Sequence, residues 1–364
     1  MSNAGELATV PKMQGTLHVY VAFDWGEEIH LDRVKQFVPA STHELPRRRR
    51  TPQSFFYHPA PLHVPLADCG VELTECGRVN ATAGVTLFDF AAVSIAFHVP
   101  FALPPDGLTR LASSLADSSP WVQYARELLT PLHKQLLPAI QDPLWQNDLS
   151  EEYFVFQFDP AALAQMGNAA WLAGIVHLDS DALSEEEMAE ALRYRISYSP
   201  DDLFIPDWTA AVLVDRDCEE TLQAIEFANL QLLEFRHIDN RLDESLAAAS
   251  RLIQPLTRSR WLYWRFHDKP LRALGELKVE ANGLFERTGN VLKLVGDPYL
   301  ARLYRLIAKR FHLETWEKSI QRKLEVAEGV YQVISDQAIA FRTEFLEITV
   351  VVLILIEIIL GLVH

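Results

Sequence analysis

The chain has 364 residues, of which 49% are hydrophobic and 23% are charged, and its formal net charge is −16. This composition can build hydrophobic cores and predicts about two domains. The acidic balance argues against broad electrostatic binding to nucleic acid or anionic lipid, so nucleic acid is not an expected partner unless a local basic patch binds it.

The first part of the chain is predicted to form an α+β head over residues 1–215. Runs of β-branched and aromatic residues bounded by Pro, Gly or Asp predict strands at 17–23, 85–99, 153–158 and 210–214. Helices are predicted at 108–115, at 121–137 and after Ser184, which can cap an acidic segment. Because strands and helices interleave without a regular period, we expect a sheet with helices on one face.

One stretch of the head is strongly basic, and it consists of Arg47, Arg48, Arg49 and Arg50 between prolines. A solvated loop accounts for such a run, and contact with an anionic partner such as RNA or lipid headgroups is the alternative. The N-terminus has neither the pattern of a signal peptide nor that of an organelle transit peptide, so no export is expected.

No motif of a known catalytic centre is present. The sequence lacks GxxxxGK[ST], GxSxG, HExxH and GxGxxG, and thus the phosphate-binding loop, nucleophile elbow and zincin helix that they specify. The three cysteines form no CxxC pair, and His58, His63, Cys69 and Cys76 follow no recurrent zinc spacing. We therefore predict no catalytic residue, no cofactor, no metal and no enzymatic activity. An enzyme whose site in the head has no recognisable motif is the alternative.

Long amphipathic helices are predicted from Cys218 onward, over residues 216–347. Apolar residues keep a three-four rhythm from Ile225 to Leu256, and Asp239 interrupts it as a paired, terminal or register-setting residue. A second helix follows over 274–295, and a third is predicted to run from Tyr299 into the tail.

The third helix carries a heptad seam, typical of a coiled coil, that continues into an aliphatic tail. From 348 to 363, thirteen of sixteen residues are Ile, Val or Leu. This predicts a single-pass C-terminal transmembrane anchor over 348–364 with the bulk of the chain in the cytoplasm. Burial inside a soluble oligomer is the alternative. The seam consists of Ile320, Leu324, Ala327, Tyr331, Ile334, Ala338, Phe341, Phe345 and Ile348.

Some residues of this helix are expected to serve membrane insertion or assembly. A carboxyl such as that of Glu357 within a bilayer costs about 3 kcal/mol, so a partner's donor, protonation or an aqueous path should offset it. Self-association is expected through residues 320–348. The predicted membrane and assembly residues are Ile334, Phe341, Phe345, Glu347 and Glu357.

Three stretches of the last part of the chain resemble the required-for-meiotic-nuclear-division family, also known as domain of unknown function 155. They are EFANLQLLEFR from Glu226, GDPYLARLYRLIAKRFHLETW from Gly296 and FRTEFLEITVVVLILIEIIL from Phe341. The resemblance implies an α/β head, a helical hairpin and a membrane segment, as in mitochondrial inner-membrane relatives that support organellar translation. Because a transit peptide is lacking, a bacterial member is the predicted identity.

These observations together predict a non-enzymatic, membrane-anchored scaffold or tether. Its expected partners are the lipid bilayer through residues 348–363, further copies of the chain through residues 320–348, and an unidentified protein. A homo-oligomeric transport or channel component, in which Glu357 lines a polar path, is the alternative.

Overall fold

The structure, a computed structural model, describes residues 12–38, 43–44, 59–117, 119–145, 149–166, 169–253, 274–286 and 298–363. The chain divides into two compact units. Unit 1 comprises Met1–Glu234 and Thr288–Glu314, and unit 2 comprises Phe235–Arg287 and Thr315–His364. The predicted basic stretch at 47–50 lies outside the described residues.

A large mixed sheet forms the centre of unit 1. Its strands and those of a small separate sheet are β1 (Met13–Asp24), β2 (Glu28–Ile29), β3 (His43–Glu44), β4 (Leu62–Pro65), β5 (Cys69–Leu73), β6 (Gly77–Leu87), β7 (Ala92–Leu103), β8 (Ile140–Gln141), β9 (Ser150–Phe158), β10 (Leu203–Pro206) and β11 (Ala210–Val214). Within the described ranges, nine strands form the large sheet in the order β10-β11-β9-β1-β7-β6-β4-β3, and β5 pairs with β6. Neighbouring strands are antiparallel except β11 and β9, which are parallel.

Helices follow and separate these strands. They are α1 (Leu31–Val34), α2 (Pro105–Ser114), α3 (Ser119–Leu136), α4 (Ala169–His177), α5 (Glu185–Ala191), α6 (Glu219–Ile253), α7 (274–286), α8 (Pro298–Arg310) and α9 (Leu313–Val363). The Ser184 hydroxyl accepts a hydrogen bond from the Glu187 amide at 3.1 Å, so it caps α5 as expected for an N-cap serine.

Both faces of the large sheet are covered, whereas the sequence predicted helices on one face. Val19 of β1 belongs to the main core with Leu108 of α2 and Leu129 of α3. Ala22, on the opposite face because side chains alternate along a strand, packs with Leu230 and Leu233 of α6. A central strand covered in this way must be apolar on both sides, which explains the nearly continuous apolar run of β1.

Unit 2 contains the rest of α6, α7 and most of α9. The ammonium group of Lys323 in α9 lies 2.8 Å from the Asp239 carboxylate and 2.6 Å from the Asp243 carboxylate of α6. The hydroxyls of Tyr331 and Ser245 are 3.1 Å apart. Asp239, which interrupts the apolar rhythm of α6, is therefore paired with a cation of a neighbouring helix.

The third predicted helix is broken into α8 and α9. His312 has a φ of 52°, in the left-handed region, and the helix ends before it. No glycine or proline marks this joint, so residue patterns do not predict it. Periodicity continues across this two-residue break because the apolar side chains on both sides still face a core.

The predicted C-terminal transmembrane helix is wrong. Within the described ranges, no helix combines the length and the apolar character needed to cross a membrane. Glu344, Glu347 and Glu357 interrupt this part of α9, and the uncharged run of nine residues from 348 to 356 is about 14 Å long against a hydrocarbon core of about 30 Å. The predicted single-pass membrane localisation is wrong for the same reason.

The predicted coiled-coil-like character of the third helix is also wrong. The seam is buried from Ile320 to Tyr331, but Phe345 and Ile348 are 61% and 55% exposed. The spacing of three and four residues therefore reflects helix packing inside unit 2 along only part of α9. Beyond it, the apolar residues surround the helix and do not form a stripe.

Candidate functional site

The predicted assembly residues lie along α9, and their surroundings differ. Phe345, Glu347 and Glu357 are exposed. Ile334 and Phe341 are within the helix, but their side chains lie outside the described set. The structure thus places these residues on one helix without bringing them together into a cluster.

A continuous exposed apolar surface, here called the apolar α9 surface, surrounds this part of the helix. Its side chains are each 48% to 64% exposed. Seven of them are consecutive, from Val350 to Ile356, and at about 100° per residue they point in every direction around the axis. The members are Phe345, Leu346, Ile348, Val350, Val351, Val352, Leu353, Ile354, Leu355, Ile356, Ile358, Ile359 and Leu360.

A polar cluster lies inside unit 1, on the face of the large sheet that α6 covers. His18 of β1 and His98 of β7 are direct register partners, and their Nδ1 atoms are 2.6 Å apart. The His18 Nε2 atom lies 2.8 Å from the side-chain oxygen of Gln157 on β9. The Gln157 amide nitrogen in turn donates to the Asp215 carbonyl at 3.1 Å.

This chain of contacts determines which ring nitrogens carry hydrogen. The Asp215 carbonyl accepts from the Gln157 amide, which directs the Gln157 oxygen toward His18. His18 then donates from Nε2, so its neutral form has a lone pair on Nδ1. That lone pair accepts the Nδ1 hydrogen of His98, and the Nε2 atom of His98, a partly exposed residue, is left as the basic nitrogen of the pair.

Burial keeps both imidazoles neutral. Desolvation, followed by the charge of the neighbouring His98, lowers the pKa of His18 to about 4, and the Gln157 hydrogen bond opposes this only in part. Desolvation and then His63 lower the pKa of His98 as well. The His63 ring lies directly over Gly84, where an added Cβ would come within 2.4 Å of it.

Glu226 of α6 is a titratable carboxyl on the same face of the sheet, beside Ser94 and Thr86. Desolvation raises its pKa to about 7, although the hydroxyls of Ser94 and Thr86 act in the opposite direction. Its Oε1 atom is buried and makes no hydrogen bond within the described part of the chain. Burial and then the Glu226 charge raise the pKa of Tyr20 on the same sheet face well above its usual range. At neutral pH this carboxyl can therefore hold or release a proton.

These residues belong to no recognisable motif in the sequence. His18 and His98 are single polar residues within apolar strand runs, and Glu226 is one of many acids on an amphipathic helix. The available signal was position: on strands buried on both faces, a histidine must face a polar partner. Pairing across β1, β7 and β9 depends on the fold, because these strands are about 80 to 140 residues apart in sequence.

A second buried network joins the turn before β11 to α8. The Arg310 guanidinium lies 2.5 Å from the Asp207 carboxylate and 3.5 Å from that of Glu190. His177 approaches the other Asp207 oxygen at 3.2 Å, and the Tyr153 hydroxyl donates to the Asp207 carbonyl at 2.8 Å. Charges paired in this way position the helix, and this network has the features of a structural clamp.

The His and Cys residues that were considered for metal binding are not brought together. Cys69 is buried on β5, where its thiol contacts the Ala81 carbonyl at 3.6 Å, and Cys76 is in the turn after that strand. His58 lies outside the described residues. Across the described ranges, no three His, Cys, Asp or Glu side chains are grouped so that they could hold a metal ion.

Comparisons with known proteins concern mainly unit 1. The family described as "Uncharacterized protein MJ0711, N-terminal domain" matches residues 14–220. The uncharacterized protein MJ0711 of the archaeon Methanocaldococcus jannaschii is 32% identical over 200 residues, which is 54% of this chain and 60% of that protein. The matched segment therefore spans less than two thirds of this relative. No solved structure matches the chain.

These findings replace the family that the sequence suggested. The match covers β1 to β11, including His18, His98 and Gln157, and it ends before Glu226. The resemblance to the required-for-meiotic-nuclear-division family is wrong, because the match is to a different family. The predicted bacterial identity is wrong as well, because the relative found is archaeal. The chain belongs to the family of the MJ0711 N-terminal domain.

Proposed function

We propose that the protein is a non-enzymatic scaffold that self-associates through the apolar α9 surface. The observation that carries this proposal is the set of thirteen large apolar side chains that are each 48% to 64% exposed on one helix. Monomeric proteins rarely expose contiguous apolar patches larger than a few hundred Å², and larger patches mark interaction sites.

The area of the surface is adequate for an interface. Complete burial of one large apolar side chain removes roughly 60–120 Å² from water, so thirteen half-exposed side chains offer on the order of 600 Å² per copy. A typical stable interface buries about 800 Å² per partner. One helix of this kind supplies most of a standard interface, and contacts of flanking residues can supply the remainder.

A second copy of the chain is the partner that fits this surface best. The apolar stretch from Phe345 to Leu360 is about 24 Å long, so its partner must be apolar over a similar length. Another α9 provides an equal length and an equal area, and two-fold pairing of identical patches is the commonest way in which chains associate. Because the surface surrounds the helix, more than two copies can be accommodated.

Analytical ultracentrifugation of the full chain tests this proposal. Val352→Asp with Leu355→Asp, and separately Val350→Asp with Ile354→Asp, place two carboxylates on different sides of the surface. Each pair should shift the protein toward monomer, because carboxylates are costly to bury without partners. The matched control is Val326→Asp with Val333→Asp, since these valines are 51% and 50% exposed on the same helix but outside the surface.

The control pair should leave the oligomer unchanged. A full chain that is monomeric at tens of micromolar, or a control pair that dissociates the oligomer as strongly as the other two, would contradict self-association through this surface. Capture of a different protein by the wild-type chain without self-association would assign the surface to that partner.

Catalysis in unit 1 is a second candidate function, which the polar cluster supports. A carboxyl with a pKa of about 7 and an imidazole with a basic Nε2 are groups that can transfer protons near neutral pH. Screening the full chain against metabolite mixtures tests it, with Glu226→Gln and His98→Phe as comparison variants. Turnover that both variants abolish, while their unfolding midpoints stay close to wild type, would replace the non-enzymatic proposal.

A further inference from the structure

The exposed face of α8 is basic, although the chain as a whole is acidic. Its buried side includes Leu300, Leu303 and Ile307. Arg302, Arg305 and Lys309 are exposed and are spaced by three and four residues, which places them on one side of the helix. The thirteen residues of α8 include no Asp or Glu.

A second basic segment, residues 193–198, lies along the same helix. The Tyr194 ring is 5.0 Å from the Lys309 ammonium group near the end of α8. The Tyr198 ring is 5.3 Å from the Tyr299 ring at the start of α8. The segment therefore runs along α8 in the opposite direction, and it carries the exposed Arg195 between the two tyrosines.

Ion pairs fix this arrangement but leave several cations unpaired. Arg310 contacts Asp207 and Glu190, and Arg193 also contacts Glu190. Asp202, the acid beside Tyr299, accepts hydrogen bonds from the backbone amides at 198 and 199 and from the Tyr299 hydroxyl. In the part of the chain that the structure describes, Arg195, Arg302 and Arg305 form no ion pair. These three cations and Lys309 are here called the α8 basic surface.

Exposed aromatic rings lie at both ends of the α8 basic surface. Tyr198 is 75% exposed beside the start of α8. Trp208 is 46% exposed, and its ring is 5.7 Å from the His312 ring, just after the end of α8. They are the exposed large aromatic side chains in the described part of unit 1. Surfaces that bind single-stranded nucleic acid combine cations along the path of its phosphate backbone with aromatic rings on which its bases stack.

We propose that the α8 basic surface, with Tyr198 and Trp208, binds single-stranded nucleic acid. The helix is about 20 Å long, so its exposed side can follow several nucleotides of a single strand. The net charge of −16 does not prevent this, because charges farther away than about 10 Å are largely screened at 0.1 M salt. An acidic polypeptide would satisfy the cations but would leave the two rings without a stacking partner.

Fluorescence anisotropy of the full chain with a labelled twelve-nucleotide oligouridylate tests the proposal, and oligothymidylate of equal length tests whether RNA is required. Four phosphate contacts predict a log–log salt slope of about −2.8, or a loss of affinity of about 50-fold between 50 and 200 mM salt. Arg302→Glu with Arg305→Glu should abolish binding or at least halve the slope. Lys134→Glu, an exposed lysine of α3, is the matched control and should bind like wild type.

The aromatic variants distinguish nucleic acid from an acidic polypeptide. Tyr198→Ala and Trp208→Ala should each weaken oligonucleotide binding by at least about fivefold. Polyglutamate binding that equals oligouridylate binding, with both aromatic variants unchanged, would assign the surface to an acidic protein and overturn the proposal. Absence of binding at 50 mM salt would do the same.

Two further variants keep the test decisive. Arg195→Glu changes the same surface from an exposed segment outside α8, so it gives a second result if the α8 variants unfold. Replacing Arg47, Arg48, Arg49 and Arg50 by serine tests the other basic stretch. If that change removes binding while Arg195→Glu and the α8 variants bind normally, the nucleic acid binds elsewhere and the α8 inference fails.

Discussion

The Nδ1 atoms of His18 and His98 face each other at 2.6 Å across two neighbouring strands, so one of them must donate and the other must accept. Protonation of both rings would place two hydrogens in this contact. The pair thus resists acid, which agrees with the lowered pKa of each ring. Glu226 on the same side of the sheet resists the loss of its proton as pH rises, because burial raises its pKa. The two groups therefore have opposite effects on stability as pH changes.

The first prediction concerns His18. Its pKa is about 4 in the folded chain against 6.5 in the unfolded chain, so its contribution to stability is present above pH 6.5 and is lost as pH falls toward 4. Between pH 7 and pH 5 this loss is about 2 kcal/mol. Because the Glu226 contribution has the opposite sign and a similar size, urea unfolding of the wild type should change little between pH 7 and pH 5, whereas His18→Asn should become about 2 kcal/mol more stable as pH falls.

The second prediction concerns Glu226. Its pKa is about 7 in the folded chain against 4.5 in the unfolded chain, so the folded state is favoured at low pH and loses about 2 kcal/mol as pH rises from 5 to 7. This nearly cancels the His18 contribution. Glu226→Gln should therefore become more stable with rising pH over this range. The exposed Glu127→Gln is the control. If Glu226→Gln and this control both show the wild-type pH profile of stability, Glu226 does not titrate near pH 7.

The third prediction concerns the clamp between Arg310 and Asp207. Arg310→Ala leaves a carboxylate that is 4% exposed without its cation, which should lower the free energy of unfolding by about 3–5 kcal/mol. Adding Asp207→Asn should recover part of the loss, because the uncompensated charge is removed. Arg216→Ala breaks an exposed pair with Asp159 and should change the unfolding midpoint little. Equal losses in the two single variants would contradict the assignment of the clamp.

The fourth prediction compares two glycines. A Cβ at Gly15 of β1 would lie 2.2 Å from the Gln157 carbonyl and 2.6 Å from the Phe101 ring, so Gly15→Ala should destabilise the chain by at least about 1–3 kcal/mol. A Cβ at Gly329 of α9 meets no atom within 4 Å, and Gly329→Ala should stabilise the helix by up to about 1 kcal/mol. If the thermal unfolding midpoints of both variants shift in the same direction, the close approach of Gln157 and Phe101 to Gly15 is contradicted.

Much of the local structure of unit 1 follows from residue patterns. The runs at 17–23 and 153–158 lie in β1 and β9, and the segment that Ser184 caps is α5. The run at 85–99, taken as one strand, belongs to β6 and β7, because the chain turns at Ala91 with a φ of 62°. Alanine is not a typical turn residue, and because the residues on both sides are apolar, the run was predicted as one continuous strand.

The character of the tail and the contacts of the polar cluster could not be predicted from residue patterns. Counting Ile, Val and Leu from 348 to 363 favoured a membrane helix, although Glu347 and Glu357 leave only a short uncharged run. The Gln157, His18 and His98 contacts require the strand order and the register, which residue spacing along one segment does not contain. The α8 basic surface likewise depends on which side of an amphipathic helix is buried.

The position of β1 in the sheet affects how the chain can fold during synthesis. This strand is made first among those of the sheet, yet it pairs with β7 at 92–103 and with β9 at 150–158. At about 5–20 residues per second, roughly 7–30 s pass between the synthesis of β1 and that of its second partner. During this time a twelve-residue apolar strand has unpaired edges, which can pair with other nascent chains. Slower elongation lengthens this exposure, so the yield of folded protein should depend on translation rate and on chaperones that bind the first hundred residues.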